Sequence, residues 1–279
     1  MTATLPKDIL PTSRMERTMR KHYLQKVFEP ESVVVVGASD RDASVGGQVM
    51  RNLIDGGFAG DIYPVNPKHD TVQGLKSYAS VKDIDRTIDL VVVTIPARSI
   101  PPVMHQCGEQ GVGAVIIISA GFGEVGDRGL ALQAEVLDIA RTYNIPLVGP
   151  NCLGVIRPRV GLNASFAKSR VPTGRVALVA QSGAFCTALL DWGASKGFGF
   201  SAVASLGATA DVGFGEVLDF LAVDPETRSI LLYIEGISDA RSFLSGLRVA
   251  ARLKPVIVVK SGRSESGTRA AVSLSLIHI

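Results

Sequence analysis

The feature that most restricts the fold is a set of short apolar runs that do not alternate with polar residues. SVVVVGAS (32–39), DIYPVN (61–66), DLVVVTIP (89–96), AVIIISAG (114–121) and IPLVGPN (145–151) are built largely from β-branched residues, and several end in small ones. A strand with one wet face alternates. A strand that is apolar throughout is covered on both faces, as in a parallel sheet between helices. Helical spacing fills the gaps: 46–55, where Val49, Met50, Leu53 and Ile54 recur, then 101–110, then 130–143 with Leu132, Val136, Leu137 and Ala140 on one face. The pattern breaks at CLGVIRPRVGLNASFAKSRVPTG (152–174), which reads as an inter-domain connection. It restarts with strands RVALVAQSGA (175–184), SAVASLG (201–207), SILLYIEGI (229–237) and KPVIVVKSG (254–262), separated by helices over 185–196, 212–222 and 242–253. The predicted fold class is α/β: two tandem doubly wound parallel-sheet domains. The predicted organisation is a polar lead-in over 1–22, a first domain over 23–151, the connection over 152–174 and a second domain over 175–273.

Composition removes several classes of function. Hydrophobic residues are 46% and charged residues 20% of the 279, enough for a well-buried core. The net charge is +3, with acids and bases interspersed and no basic face beyond the short run from Arg14 to Lys21, so no nucleic-acid partner is expected. No apolar stretch reaches the roughly 18 residues of a membrane helix, and the N-terminal 25 residues lack the apolar segment of a secretory signal. Cys107, Cys152 and Cys186 are widely spaced, with no CxxC pair. Reduced thiols, a cytoplasmic location and no metal site are the expectation.

Ligands of open α/β sheets sit beyond the carboxyl ends of the strands. In the first such turn, VVGASDRDASVGGQV (35–49), Gly37, Gly46 and Gly47 would let backbone N–H groups approach a phosphate at a helix start. The spacing is not GxGxxG, and a turn that needs glycine only for tight geometry has the same appearance. The second strand ends in VNPKHD (65–70). Lys68 suits a phosphate on a ribose better than a free diol, which favours NADP or coenzyme A over NAD, although Asp70 could still serve a ribose and Lys68 could be a solvated loop lysine. Pro96, in TIPA (94–97), makes a stiff wall for a flat ring. Ser119, Ala120 and Gly121 leave room for an extended ligand arm, and Glu124 reads as a surface loop charge. In VAQSGAF (179–185), the Ser182 hydroxyl with the amides of Gly183 and Ala184 would form an anion cradle. The pattern around Ser182 is not G-x-S-x-G, which argues against a nucleophile. Glu235 ends a strand, either as a satisfied structural acid or as partner to a cationic group such as histidine. Asp211 reads as a cap or turn residue.

FEPESVVVVGAS, GFAGDIYPVNPK, VIIISAGFGE, GPNCLGV, VAQSGA, LLYIEG and KPVIVVKSGR follow one another over residues 28–263. In that order they resemble the α-part of NDP-forming acyl-CoA synthetases, the group that includes succinyl-CoA synthetase and ADP-forming acetyl-CoA synthetase. The resemblance implies a Rossmann-like CoA-binding domain followed by a flavodoxin-like ligase domain. CoA or acetyl-CoA would be held by Gly37, Ala38, Ser39, Val45 and Gly46, then Asn66 and Lys68, Ile95 and Pro96, and Ser119 and Ala120. Ser182, Gly183 and Ala184 would face a phosphate. It further implies that NTP phosphorylates a histidine supported by Glu235, that the phosphoryl group passes to a small carboxylic acid, and that CoA displaces phosphate from the acyl phosphate. ATP or ADP would be handled by an ATP-grasp domain not contained in this chain. GLNASFA (161–167), CTALLDWGASKGFGFS (186–201), ADVGFGEVLDFLA (210–222) and ISDARSF (237–243) are similar to one branch, bacterial multidomain proteins that add a GNAT domain and acetylate protein lysines.

Two departures stand out. Thr187 occupies the place of a tyrosine in succinyl-CoA synthetase, so the acyl substrate need not be succinate. The family's histidine follows KSGR by a short stretch, yet here RAAVS (269–273) is followed by Leu274. LSLIHI (274–279) resembles the translation of a transposon-end sequencing adapter, so the native chain is expected to leave this sequence after Ser273, and His278 is not expected to be catalytic. The expectation is a CoA-binding fragment of a larger ligase or lysine acetyltransferase, without turnover alone. The alternatives are an NAD(P)-binding oxidoreductase module and a non-catalytic CoA sensor.

Overall fold

The computed structural model describes residues 22–261. The lead-in, the position of the expected histidine at 274 and the 274–279 tail lie outside them. The first domain opens with the short helix α1 (Gln25–Phe28), then strand β1 (Ser32–Val36), helix α2 (Val45–Asp55) and β2 (Asp61–Val65). A small antiparallel hairpin follows, β3 (Thr71–Val72) with β4 (Leu75–Lys76). Then come β5 (Leu90–Val93), α3 (Ile100–Glu109), β6 (Ala114–Ile117), α4 (Asp127–Thr142) and β7 (Leu147–Val148). The larger sheet runs β2-β1-β5-β6-β7 and is parallel throughout. Strand order reverses across β1, where Val33 lies opposite Ile62 on one side and Leu90 on the other. That reversal places a switch point between β1 and β5, where open sheets bind ligands. Every residue of β1, β5 and β6 is buried, as the continuous apolar runs require.

The second domain contributes β10 (Thr173–Ala180), α5 (Gly183–Lys196), β11 (Phe200–Ser205), α6 (Phe214–Val223), β12 (Ser229–Ile234), α7 (Ala240–Leu253) and β13 (Val256–Lys260). These four strands are parallel, in the order β13-β12-β10-β11. The segment 152–174, read from its Gly and Pro content as a connection, folds as a hairpin on this sheet. Strands β8 (Gly154–Arg157) and β9 (Leu162–Ser165) pair antiparallel, and β8 adds antiparallel to the edge strand β11. The sheet is therefore mixed. Pro158 and Gly161 make the turn between the short strands β8 and β9, whose buried positions are what composition concealed.

One apolar cluster spans both domains: Val49, Met50 and Leu53 of α2 and Phe28 of α1 pack with Leu162 and Ala164 of β9 and with Phe220 of α6. Phe28 and Phe220 stack with centroids 4.6 Å apart. Asn52 Nδ2 donates to the carbonyls of Ser165 and Ala167 at 2.7 and 2.8 Å. Arg157, fully buried, donates to both Asp224 oxygens at 2.8 and 2.7 Å, to Glu29 at 3.0 Å and to the Ser201 carbonyl at 3.1 Å. Hydrogen bonds from Arg157 and Thr227 hold the Asp224 carboxyl below the usual carboxylate range, against the opposing effect of burial.

Candidate functional site

The loop after β1 is fixed by close packing. Gly37 takes φ +89°, and its amide donates to the Val65 carbonyl at 3.0 Å, so this N–H serves the sheet and not a ligand. A Cβ on Gly46 would lie 2.0 Å from the Gly37 carbonyl oxygen and 2.9 Å from Thr94 Oγ1. Gly46 lets the start of α2 press against the end of β1, and Gly37 makes room for Thr94 and Ile95 at the end of β5. Ser44 caps the helix by accepting from the Gly47 amide at 3.0 Å. Among the described residues, the amides of Ala38, Ser39, Val45 and Gly46 have no protein acceptor. They surround a helix N-terminus, the arrangement that receives an anion. The Val45 side chain is exposed there.

Neighbouring strand ends complete this edge. Asn66 Nδ2 donates to the Ala38 carbonyl at 2.8 Å, and its Oδ1 accepts from the Lys68 amide at 3.0 Å. The Asn66 carboxamide therefore shapes the loop, while Lys68 and Asp70 project as exposed side chains. Ile95 is half-buried and Pro96 exposed at the end of β5. Ser119 Oγ donates to the Ile95 carbonyl at 2.6 Å, tying the ends of β5 and β6, beside the half-buried Ala120 and Gly121. Glu124 accepts from the amides of Gly121 and Phe122, so it latches its own loop rather than standing free as a surface charge.

The second domain presents another helix start. Ser182 caps α5 by accepting from the Phe185 amide at 3.3 Å, and the amides of Gly183 and Ala184 have no protein acceptor among the described residues. All three are half-buried. Thr187 Oγ1 donates to the Gly183 carbonyl at 3.0 Å. At the end of β12, burial pushes the Glu235 carboxyl above its ordinary range, offset in part by the charge of Lys260. Lys260 Nζ donates to the Glu235 carbonyl at 2.9 Å. Asp211, read as a cap or turn residue, reaches across the seam and accepts from the Leu147 amide at 2.9 Å.

Two glutamines escaped sequence reasoning. Gln73, at the tip of the β3–β4 hairpin with φ +47°, donates from Nε2 to the Ser39 and Gly47 carbonyls at 2.9 Å each. Gln181 joins three strand ends, as described below. Neither stands in a pattern that marks it; only the Q before S-G at a strand end was a signal. The histidines among the described residues are His22, His69 and His105. None of their elements brings an imidazole to Glu235 in a hydrogen bond. Among the described residues no group of three His, Cys, Asp or Glu side chains could hold a metal ion, and no helix is long and apolar enough to cross a membrane. The three cysteines are buried, and burial pushes each thiol up to about 12.

Residues 31–158 match the CoA binding domain, and residues 173–276 match the succinyl-CoA ligase like flavodoxin domain. The chain is 41% identical over 250 residues to an ADP-forming acetate–CoA ligase I of Archaeoglobus fulgidus, covering 90% of this chain and 36% of that protein. It is 41% identical over 254 residues to the α subunit of ADP-forming acetate–CoA ligase I of Pyrococcus furiosus, covering 90% and 55%. A solved dinucleotide-forming acetyl-coenzyme A synthetase 1 of Ca. Korarchaeum cryptofilum, in complex with phosphate and ADP, superposes with a TM-score of 0.86 at 37% identity, covering 90% and 54%. The chain thus spans roughly a third to a half of the length of these relatives. With both domains matched in order and at this identity, the chain belongs to the family of ADP-forming acetyl-CoA synthetase α-type proteins, a CoA-binding domain joined to a succinyl-CoA-ligase-like domain.

Proposed function

We propose that this chain is the CoA-binding α-type region of an NDP-forming acyl-CoA synthetase, and that it works with an ATP-grasp module on the same or another polypeptide. The observation that carries the reading is the first-domain edge, where the unpartnered amides of Ala38, Ser39, Val45 and Gly46 meet at the switch point of a CoA-binding fold. Those amides receive the phosphates of CoA. Lys68 supplies a cation for the ribose phosphate, Pro96 and Ile95 offer an apolar wall, and the space beside Ser119 and Ala120 takes the extended arm. In the second domain, the amides of Gly183 and Ala184 receive a phosphoryl group at the start of α5. Glu235 orients the imidazole of a phosphorylated histidine and raises its basicity. The position expected for that histidine, Leu274 in this sequence, lies outside the described residues, and the nucleotide site belongs to the ATP-grasp module. The parent reaction is transfer of a phosphoryl group to a small carboxylate, followed by thiol attack on the acyl phosphate with release of phosphate. A hydroxyl at Thr187 in place of a tyrosine goes with an acyl group other than succinate. The phrases at 161–167 and 186–201 support a narrower reading, a parent that also carries a GNAT domain and acetylates protein lysines.

Calorimetry of this chain tests the central statement. CoA should bind saturably, and NADP should not. Saturable heat with NAD(P) and none with CoA at millimolar concentration would overturn the reading in favour of a nicotinamide-binding module.

A further inference from the structure

Gln181 immediately precedes Ser182, the N-cap of α5, and its side chain turns away from that helix. Its Oε1 accepts from two consecutive backbone amides, Glu235 at 2.7 Å and Gly236 at 2.9 Å. Its Nε2 donates to Thr209 Oγ1 at 3.0 Å, and its own amide donates to the Tyr233 carbonyl at 3.2 Å. One carboxamide therefore uses both ends to join the loops after β10, β11 and β12. Thr209 adopts φ +51°, a left-handed conformation that a β-branched residue rarely takes. Such a residue persists only where its surroundings over-determine it. The same loop is bound to the first domain, because the amides of Ala208, Ala210 and Val212 donate to the carbonyls of Pro150, Gly149 and Leu147 at 2.9, 3.1 and 3.0 Å. The Asn151 amide in turn donates to the Ser119 carbonyl at 3.0 Å.

We infer that Gln181 is a positioning residue: it seats the Glu235–Gly236 backbone beside the Ser182–Ala184 helix start, and through Thr209 it references that seat to the inter-domain seam. Two adjacent amides aimed at one oxygen form a small anion-binding concavity. Filling it with a neutral amide oxygen keeps an anion from settling behind Glu235 rather than on the α5 amides. It also fixes where the carboxylate leaves the backbone. Adjacency in the chain does the rest, since residue 181 holds Glu235 and residue 182 begins the cradle. Among the described residues, the charged group facing Glu235 is Lys260, held on the Glu235 carbonyl from β13. Gln181 and Thr209 are neutral, so the neutral change Gln181→Met acts on Glu235 through geometry and solvation.

This inference rests on Glu235 being the acid of the proposed phosphoryl site, but its test needs no CoA, so its failure is distinct from a failure of CoA binding. The experiment is NMR of the full chain labelled with ¹⁵N and at the Glu carboxyl carbon, with Glu235 assigned through E235Q. Gln181→Met keeps volume but can neither donate nor accept. It should speed hydrogen exchange of the Glu235 and Gly236 amides by at least about tenfold and move the Glu235 carboxyl midpoint down toward the usual carboxylate range. Gln181→Glu keeps an acceptor and should retain amide protection near that of the parent chain. Thr209→Gly removes the hydroxyl while suiting the left-handed backbone, so it should fold even if Gln181→Met does not. It should leave the two amides protected but shift the Gln181 side-chain NH₂ resonances. Unchanged exchange and an unchanged Glu235 midpoint in Gln181→Met, loss of protection in Gln181→Glu, or unmoved NH₂ resonances in Thr209→Gly would each overturn the assignment.

Discussion

Glu235 combines a charge with partial burial. Burial raises its carboxyl, and Lys260 offsets only part of the rise. The folded chain therefore holds this proton more tightly than the unfolded chain does. Stability from this group is fully present below the unfolded pKa and falls as pH rises through the interval up to the folded pKa. Glu235→Gln should accordingly melt at the same temperature as the parent chain or higher near neutral pH, with the difference vanishing below about pH 4. Calorimetric melts of both proteins across that range check it. A lower melting temperature for Glu235→Gln at neutral pH would mean that the ionised carboxylate is stabilised by contacts stronger than Lys260 supplies. At this scale the sequence marked the position of Glu235 at a strand end but not its handling. The use of Gly37 illustrates the same gap, because a glycine whose N–H serves the sheet and one whose N–H serves a ligand are written identically.

The hairpin β8–β9 shows what an element adds. It carries the edge of the second sheet and also supports α2 of the first domain, through the two hydrogen bonds from Asn52 to Ser165 and Ala167. Both carbonyls sit in a packed seam, so losing the donor strands them. Asn52→Ala should destabilise by about 1–3 kcal/mol, as for other buried acceptors left unpaired. Urea denaturation with an unchanged slope and a lower midpoint is the expected result. The parallel strands were legible before any coordinates, because β1, β5 and β6 are apolar throughout and end in small residues. So were the six longer helices, from their spacing, though not the single turn α1; α4 begins at Asp127, three residues earlier than its apolar face at Leu130 suggested. The two hairpins were not. β3 and β4 are two residues each, and β8 and β9 are four residues each, interrupted by Pro158 and Gly161, too short for periodicity to show.

At the scale of the molecule, Arg157 is the point where α1, β8 and the turn after α6 meet. Its guanidinium is fully buried, and its partners come from both domains: Glu29 from the first, Asp224 and Ser201 from the second. Sequence reasoning passed over it, because one arginine in a Pro-rich stretch reads as solvated. A buried pair is weak support for stability when compared with an apolar replacement of both partners, but removing one partner leaves the other charge stranded. Arg157→Met should therefore cost on the order of 3–5 kcal/mol. Asp224 would then lose the two Arg157 hydrogen bonds that help keep its carboxyl low and retain those from Thr227 and the Glu226 amide. In the parent chain this depressed carboxyl contributes stability above its unfolded pKa that is lost as pH falls through the folded value. The variant should show less of that acid sensitivity because Asp224 no longer has its guanidinium partner. The seam also predicts how the chain melts. Trp192 lies on α5 and reports the second domain, whereas the far-ultraviolet signal reports both. With Arg157, the Phe28–Phe220 stack and the Asn52 bonds intact, the two signals should trace one transition. In Arg157→Met the domains lose their shared charge network, and the Trp192 transition should separate from the far-ultraviolet one. Coincident curves in the variant would show that apolar packing between α1, α2, β9 and α6 alone makes the two domains one cooperative unit.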